Sequence, residues 1–438
     1  MLRLARAPPR FVGSVGKFRR NGQTDRVSSP LLTRRAMAAA AAIALAVLTG
    51  CSSGSKDDSG GWVAQPNYQG NNDPQPQLPN PGIPAPSMPG GSQPAPAPNG
   101  SAASPGRSTP ATDPSVVASK LDQPTGLVVL PDGTALVGER RTGKIFRVQP
   151  VAGRPTVLVQ TVAGVDGTGD GGLLDLALSR TFDQDGLVYA YVTTATDNRV
   201  LHFALGSVPS TVIGGIPKGR TGNSGRIAFD ATGALLTGTG DAGRPALAAS
   251  ATSLAGKILR TNDIGQPLAD NPSPTSRVYA RGLRSVDGLC VDPKSGVRIA
   301  ISATAGSGAS RTPDEVNIVK AGADYGWPRP SNLSVGAAKT LPSTTPGGGG
   351  CAAGNGQLAI ATSAGKSLAV ASISAKGVIG AFAPAAKGTY GRLRTAVVGP
   401  DGALWLTTRN RDGHGKPTAE DDRVIRITSS SDSGSPIV

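Results

Sequence analysis

From about residue 115 onward the chain is written as short apolar, β-forming runs broken by tight polar turns. Gly126–Leu130 is followed by Pro131-Asp132-Gly133 and then Thr134–Gly138. The arrangement returns as Arg226–Asp230, Ala231-Thr232-Gly233 and Ala234–Thr237. It returns again as Gly288–Val291, Asp292–Gly296 and Val297–Ala300, and as Ala396–Val398, Gly399–Gly402 and Ala403–Leu406. Each copy reads as strand, Asp/Gly turn, strand. One hairpin recurring at irregular spacings of about 60 to 110 residues is a mark of propeller architecture. No amphipathic helix of 10 to 15 residues repeats between the strands, which argues against a parallel α/β sheet. Residues 115–430 suit six four-stranded blades, so the expected fold is all-β, a six-bladed β-propeller. Gly347–Gly350, preceded by Thr344-Thr345-Pro346, reads as an exposed loop. Gly167–Gly172 has the look of a phosphate cradle but lacks a following Lys-Ser/Thr, and no nucleotide site is expected there.

The N-terminal texture is different. Arg34-Arg35 precedes an uncharged run, Ala36 to Thr49, that ends in Leu48-Thr49-Gly50-Cys51. About 14 apolar residues are too few to cross ~30 Å of hydrocarbon, so a cleaved signal is favoured over a permanent span. The tetrapeptide resembles a lipobox, at which the thiol is acylated and the chain cut. Residues 1–50 are then a lipoprotein signal region, Cys51 is the lipidated residue, and residues 51–114 form a Pro/Gly/Ser-rich linker. That composition buries too little apolar surface to fold, which makes it a disordered tether. Residues 431–438 are expected to be a disordered tail. The reading places the protein on the extracytoplasmic face of the cell membrane, with the membrane as partner through the lipid on Cys51. Arg34-Arg35 reads either as an ordinary basic region or as a twin-arginine export signal.

Composition adjusts this picture in three places. The formal charge is +15, but residues 1–50 carry nine Lys/Arg against one Asp, leaving about +7 for the rest. With no Lys/Arg-rich run, nucleic acid is not an expected partner. Only two His occur, His202 and His414, so a zinc site of His and Cys is not expected. With Cys51 acylated, Cys290 and Cys351 are an even pair in an oxidising compartment. They read as a disulfide or, alternatively, as two separate buried thiols.

Six strings stand in a telling order: Gly171–Leu178, Asp197–Val200, Thr239–Gly243, Ser253–Arg260, Asp314–Asn317 and Asp324–Pro328. Together they resemble the glucose/sorbosone dehydrogenase family, the soluble quinoprotein sugar dehydrogenases. The lipidated N-terminus and the placement of the cysteines are similar to a divergent lipoprotein branch found in mycobacteria. The resemblance implies pyrroloquinoline quinone (PQQ) and calcium on the axial face, and oxidation of aldoses. It implies a histidine base in a His-Asn-Gly-Gly-Arg-like string, which here reads Gly222-Asn223-Ser224-Gly225-Arg226, with Gly222 at the His position. Asp170 stands where the family has a sugar-contacting Gln, and Asp170 or Asp175 is the carboxylate that could replace the base. For these and Asp241, the other reading is Asp capping a turn. Arg284, Arg392 and Arg394 match the family's cofactor-binding arginines. Arg392 and Arg394 alternate along a strand, and read either as a pair gripping one anion from the same side or as ordinary strand-end charges on a solvated rim. The family's metal string has become Ser302–Gly306, so no metal ligands are assigned. Tyr325 and Trp327 read as blade-packing aromatics or as sugar platforms. Two functions follow: a membrane-tethered quinoprotein sugar or alcohol dehydrogenase with an altered site, or a non-catalytic propeller that binds a sugar or an envelope ligand.

Overall fold

In the computed structural model, residues 113–304 and 312–428 are described. The signal region, Cys51, the linker and the C-terminal tail lie outside them. Twenty-four strands form six four-stranded antiparallel sheets. Blade one holds β2–β5 (Pro124–Val129, Ala135–Glu139, Lys144–Val148, Val157–Thr161), and blade two β6–β9 (Leu173–Leu178, Leu187–Thr193, Asn198–Ala204, Ser210–Ile216). Blade three holds β10–β13 (Gly225–Phe229, Leu235–Thr239, Lys257–Thr261, Val278–Arg281), and blade four β14–β17 (Val286–Val291, Arg298–Ser302, Glu315–Ile318, Lys339–Thr340). Blade five holds β18–β21 (Gly348–Gly354, Gln357–Thr362, Ser367–Ser372, Ala383–Ala385). Blade six holds β22–β24 (Leu393–Val398, Leu404–Thr408, Val424–Ile427), completed by the N-terminal β1 (Val116–Ala118). Val116 pairs with Ile425 and Ala118 with Val424, so the start of the domain closes the ring on its end. The fold is the expected six-bladed β-propeller.

The strands read as continuous apolar runs because each blade is covered on both faces. Six buried clusters result, one in each gap between neighbouring blades. Cys290 and Cys351 meet in the gap between blades four and five as a disulfide, with Cα atoms 5.7 Å apart. The four hairpins legible in the sequence are the inner hairpins of blades one, three, four and six.

The glycine run does not form an exposed loop. Gly348–Gly350 open β18, the innermost strand of blade five, and are packed against neighbouring blades. A Cβ on Gly349 would lie 2.5 Å from the Arg394 carbonyl oxygen, and one on Gly348 2.8 Å from Ile301. Innermost strands crowd the axis, and glycine is what fits there.

The innermost strands β2, β6, β10, β14, β18 and β22 neighbour one another around the axis. The loop entering each of them and the loop leaving each second strand share one end of the propeller. This end carries Arg140, Asp170, Gly222, Asp241, Arg284, Arg392 and Arg409. A long excursion between β16 and β17 climbs beside β13, where the Tyr325 N–H donates to the Arg281 carbonyl and the Trp327 N–H to the Gly282 carbonyl. It delivers Trp327 to the same end.

Candidate active site at the axial mouth

Beneath the mouth a polar belt crosses the axis. Arg226, on β10, is 2% exposed. Its Nη1 donates to Asp175 Oδ1 (3.1 Å) and Thr395 Oγ1 (3.3 Å), and its Nε to the Asp287 carbonyl (2.8 Å). Asp175 also accepts the Ile227 N–H (2.9 Å), and Arg394 pairs with Asp287 at 3.5 Å. Thr395 donates to the Thr125 carbonyl (2.6 Å), so blades one, two, three, four and six are tied together. Pairing slips one residue in from the start of β2, β14 and β22, leaving Thr125, Asp287 and Arg394 outside the ladder. Burial, with Arg226 close by, pushes the Arg394 guanidinium down to about 9. Burial pushes the Asp175 carboxyl up, against the pull of Arg226. Asp175 is thus a belt member, enclosed and already bonded. Arg226 Nη2 has no partner among the described residues.

Above the belt, Asp170 meets Gly222. Asp170 Oδ2 accepts the Gly222 N–H at 2.6 Å, and its Oδ1 accepts Asn223 Nδ2 at 2.7 Å. Asp170 is exposed. Gly222 has φ +74°, and a Cβ there would lie 2.6 Å from both Asp241 Oδ1 and the Gly243 nitrogen. The position is closed to a side chain as the loops stand.

Asp241 connects this corner to blade four. Its Oδ1 accepts the Gly243 N–H (2.8 Å), its Oδ2 the Trp327 indole N–H (3.0 Å), and its own N–H donates to the Arg284 carbonyl (2.9 Å). Arg284 lies over the Trp327 ring, 5.7 Å from its centroid, and donates Nη1 to the Thr304 carbonyl. Among the described residues Arg284 has no carboxylate partner. Trp327 is therefore part of the mouth, whereas Tyr325 is buried and donates its hydroxyl to the Ile318 carbonyl at 2.7 Å.

All three family-matched arginines stand at this end, but Arg392 and Arg394 do not share one partner. Arg392 binds Asp412 Oδ2 (2.8 Å) and Arg394 binds Asp287. The slip in β22 that frees Arg394 breaks the simple alternation behind the expected joint grip. His202 packs on Tyr189 within blade two, with ring centroids 5.5 Å apart. The His414 N–H donates to Asp412 on the blade-six side of the mouth. The sequence reading passed over Arg226, whose belt partners lie 51, 61 and 169 residues away in the chain.

The donor set suits an anionic ligand. Arg284 carries no ion pair, Arg394 has one long contact at 3.5 Å, and Arg226 has an unsatisfied buried N–H. Among the described residues no three acidic, His or Cys side chains converge, and the Ser302–Gly306 string at the family's metal position lies partly outside those residues.

The six-bladed propeller is a fold shared with a solved quinoprotein sugar dehydrogenase. Residues 121–347 match the glucose/sorbosone dehydrogenase family model, and the chain belongs to that family. It is 29% identical over 231 residues to an aldose sugar dehydrogenase of Escherichia coli K12, covering 49% of this chain and 61% of that protein. It is 28% identical over 255 residues to quinoprotein glucose dehydrogenase B of Acinetobacter calcoaceticus, covering 49% and 52%. The chain thus spans little more than half the length of the curated relatives it matches. The PQQ-bound aldose sugar dehydrogenase of Streptomyces coelicolor superposes with a TM-score of 0.66 at 36% identity, covering 71% of this chain and 96% of that one.

Proposed function

We propose that this protein is a sugar- or alcohol-oxidising quinoprotein, held on the extracytoplasmic face of the cell membrane by lipid on Cys51, in which Asp170 takes the place of the family's histidine. The observation that carries the reading is the Asp170 carboxylate held at 2.6 Å by the Gly222 N–H, beside the arginine-lined cup. PQQ, when bound, supplies a two-electron acceptor. Arg284 and Arg394 would hold its carboxylates, and Trp327 keeps Arg284 in place. Asp170 receives the hydroxyl proton of the substrate as the carbon is oxidised, and its bonds to Gly222 and Asn223 fix the direction from which it does so.

The closed site at Gly222 favours a second reading, a propeller that binds its ligand without turnover. One experiment separates the two. The full-length protein in detergent is loaded with PQQ and assayed for dye-linked oxidation of aldoses. Turnover that falls ~10²-fold or more in Asp170→Asn supports the first reading. PQQ binding without turnover supports the second. Intact mass of the membrane fraction checks the anchor: a full-length chain with a free Cys51 thiol would remove it.

A further inference from the structure

The rim where blades one and six meet holds charge that neither the cup nor the belt uses. Arg140 follows β3 and Arg409 follows β23, one strand out from the axis, whereas Arg284 and Arg394 stand at the head of inner strands. Arg140 is half-buried. Its Nε and Nη2 donate to Gln123 Oε1 (3.0 and 2.7 Å), and its Nη1 to the carbonyls of Gly169 (3.0 Å) and Gly171 (2.6 Å). None of these partners is charged. Gln123 Nε2 in turn donates to the Arg411 carbonyl at 3.0 Å, which clamps the blade-one corner onto the loop carrying Arg409. Arg409 Nε forms an ion pair with Asp412 Oδ2 at 2.9 Å, the oxygen to which Arg392 Nη2 donates at 2.8 Å. One carboxylate therefore serves two guanidiniums. The Nη groups of Arg409 make no bond among the described residues, and its side chain is 34% exposed. Burial, with Arg409 and Arg141 nearby, holds Arg140 below its ordinary value, against the pull of Asp170 and Asp122.

We infer that this rim is an anion subsite, so that the sugar taken at the mouth is an acidic one, carrying a carboxylate or phosphate that docks on Arg409 and Arg140. The Nη groups of Arg409 can bind such an oxyanion in bidentate fashion, and Arg140 adds the one Nη2 N–H that its four bonds leave over. Asp170 lies in the same 169–171 turn whose carbonyls hold Arg140, which puts the charged end of the substrate near the carboxylate that takes its proton. The inference rests on the reading of the mouth as a sugar site, but not on oxidation.

Binding is therefore measured without PQQ, by calorimetry on the full-length protein in detergent at low salt. Glucose, glucuronate and glucose 6-phosphate are compared. At least one acid should bind ~10-fold or more tightly than glucose, as a charge-assisted bond to one arginine provides. The stronger of the two tells carboxylate from phosphate. Arg409→Gln, whose side chain supports no other residue than Asp412, should remove the preference, and high salt should weaken it. Arg140→Gln is the second variant. Equal binding of all three sugars, or no binding of either acid, would overturn the inference. So would a preference that survives the Arg140→Gln/Arg409→Gln double variant. Failure of PQQ-linked oxidation alone would count against the proposed activity and leave this result standing.

Discussion

Restoring histidine at position 222 is the natural repair of the family's base, and the structure says it fails. Gly222 sits at φ +74°, in the left-handed region, and its Cβ would fall 2.6 Å from Asp241 Oδ1 and from the Gly243 nitrogen, and 3.0 Å from the Ala242 nitrogen. A non-glycine residue there costs about 1–2 kcal/mol in backbone strain. The Ala242 nitrogen cannot retreat freely, because its N–H donates to the Gly222 carbonyl at 2.9 Å. Forcing atoms into such a space adds about 1–3 kcal/mol. A total near 3 kcal/mol, set against an unfolding entropy of ~2.1 cal/mol/K per residue over about 310 residues, lowers the melting temperature by roughly 5 °C. Gly222→Ala and Gly222→His are compared by scanning calorimetry, since alanine carries the strain without the imidazole. Both should melt about 5 °C lower, and Gly222→His should gain no sugar-oxidising activity with PQQ. An alanine variant melting within about 1 °C of wild type, or a histidine variant that turns over faster, would refute the reasoning.

Two other expectations concern stability. Removing the Cys290–Cys351 bond by Cys290→Ala/Cys351→Ala should cost roughly 4 kcal/mol from the chain-entropy account of a loop of separation 61, lowering the melting temperature by about 6 °C; an unchanged melt would count against it. Lys257 is fully buried, with Nζ donating to the carbonyls of Leu247 (2.8 Å), Ala248 (2.8 Å) and Ala255 (2.7 Å), and burial pushes it down to about 8. The unfolded chain then holds this proton between about pH 8 and 10 while the folded protein has lost it, so stability rises with pH across that window; Lys257→Met should flatten the rise in denaturant titrations, and an identical slope would contradict it.

How much of this was legible in the sequence follows from the range of each interaction. Inner hairpins could be read where an Asp and a Gly sit in the turn: Asp132 Oδ1 accepts the Thr134 N–H, and Asp230 Oδ1 those of Thr232 and Ala234. Those bonds span two to four residues, so local residue types suffice. Blade two escaped because its turn is a longer one around a short helix at Phe182–Asp185. Blade five escaped although its turn is Asn355-Gly356, both at positive φ, because the strand before it is mostly Gly and Ala and resembles a loop. The mouth was reached only through family strings. The contact of Asp170 with Gly222 spans 52 residues and that of Trp327 with Asp241 spans 86, and no periodicity encodes either. Nor does the sequence display the slip in β22 that leaves Arg394 outside the ladder, paired with Asp287.

The two kinds of arginine at the mouth carry unequal weight as signs of a cofactor. Arg394 is 7% exposed and faces Asp287 across the axis, while Arg226 joins Asp175, Thr395 and the Asp287 backbone. Deleting one partner of such a buried pair leaves an uncompensated charge and costs about 3–5 kcal/mol. Folding alone is reason enough to keep Arg394, whatever the mouth binds. Arg284 is in another position. It lies on an indole ring, gives one bond to a carbonyl, and has no carboxylate to balance it among the described residues. The indole is itself held by Asp241, whose N–H binds the Arg284 backbone, so three residues cooperate to present a cation that the fold does not need. A cation held ready in this way is built for an anion from outside the chain. The case for an anionic cofactor in the cup therefore stands on Arg284 and its Trp327–Asp241 support, and the match at Arg394 adds little to it.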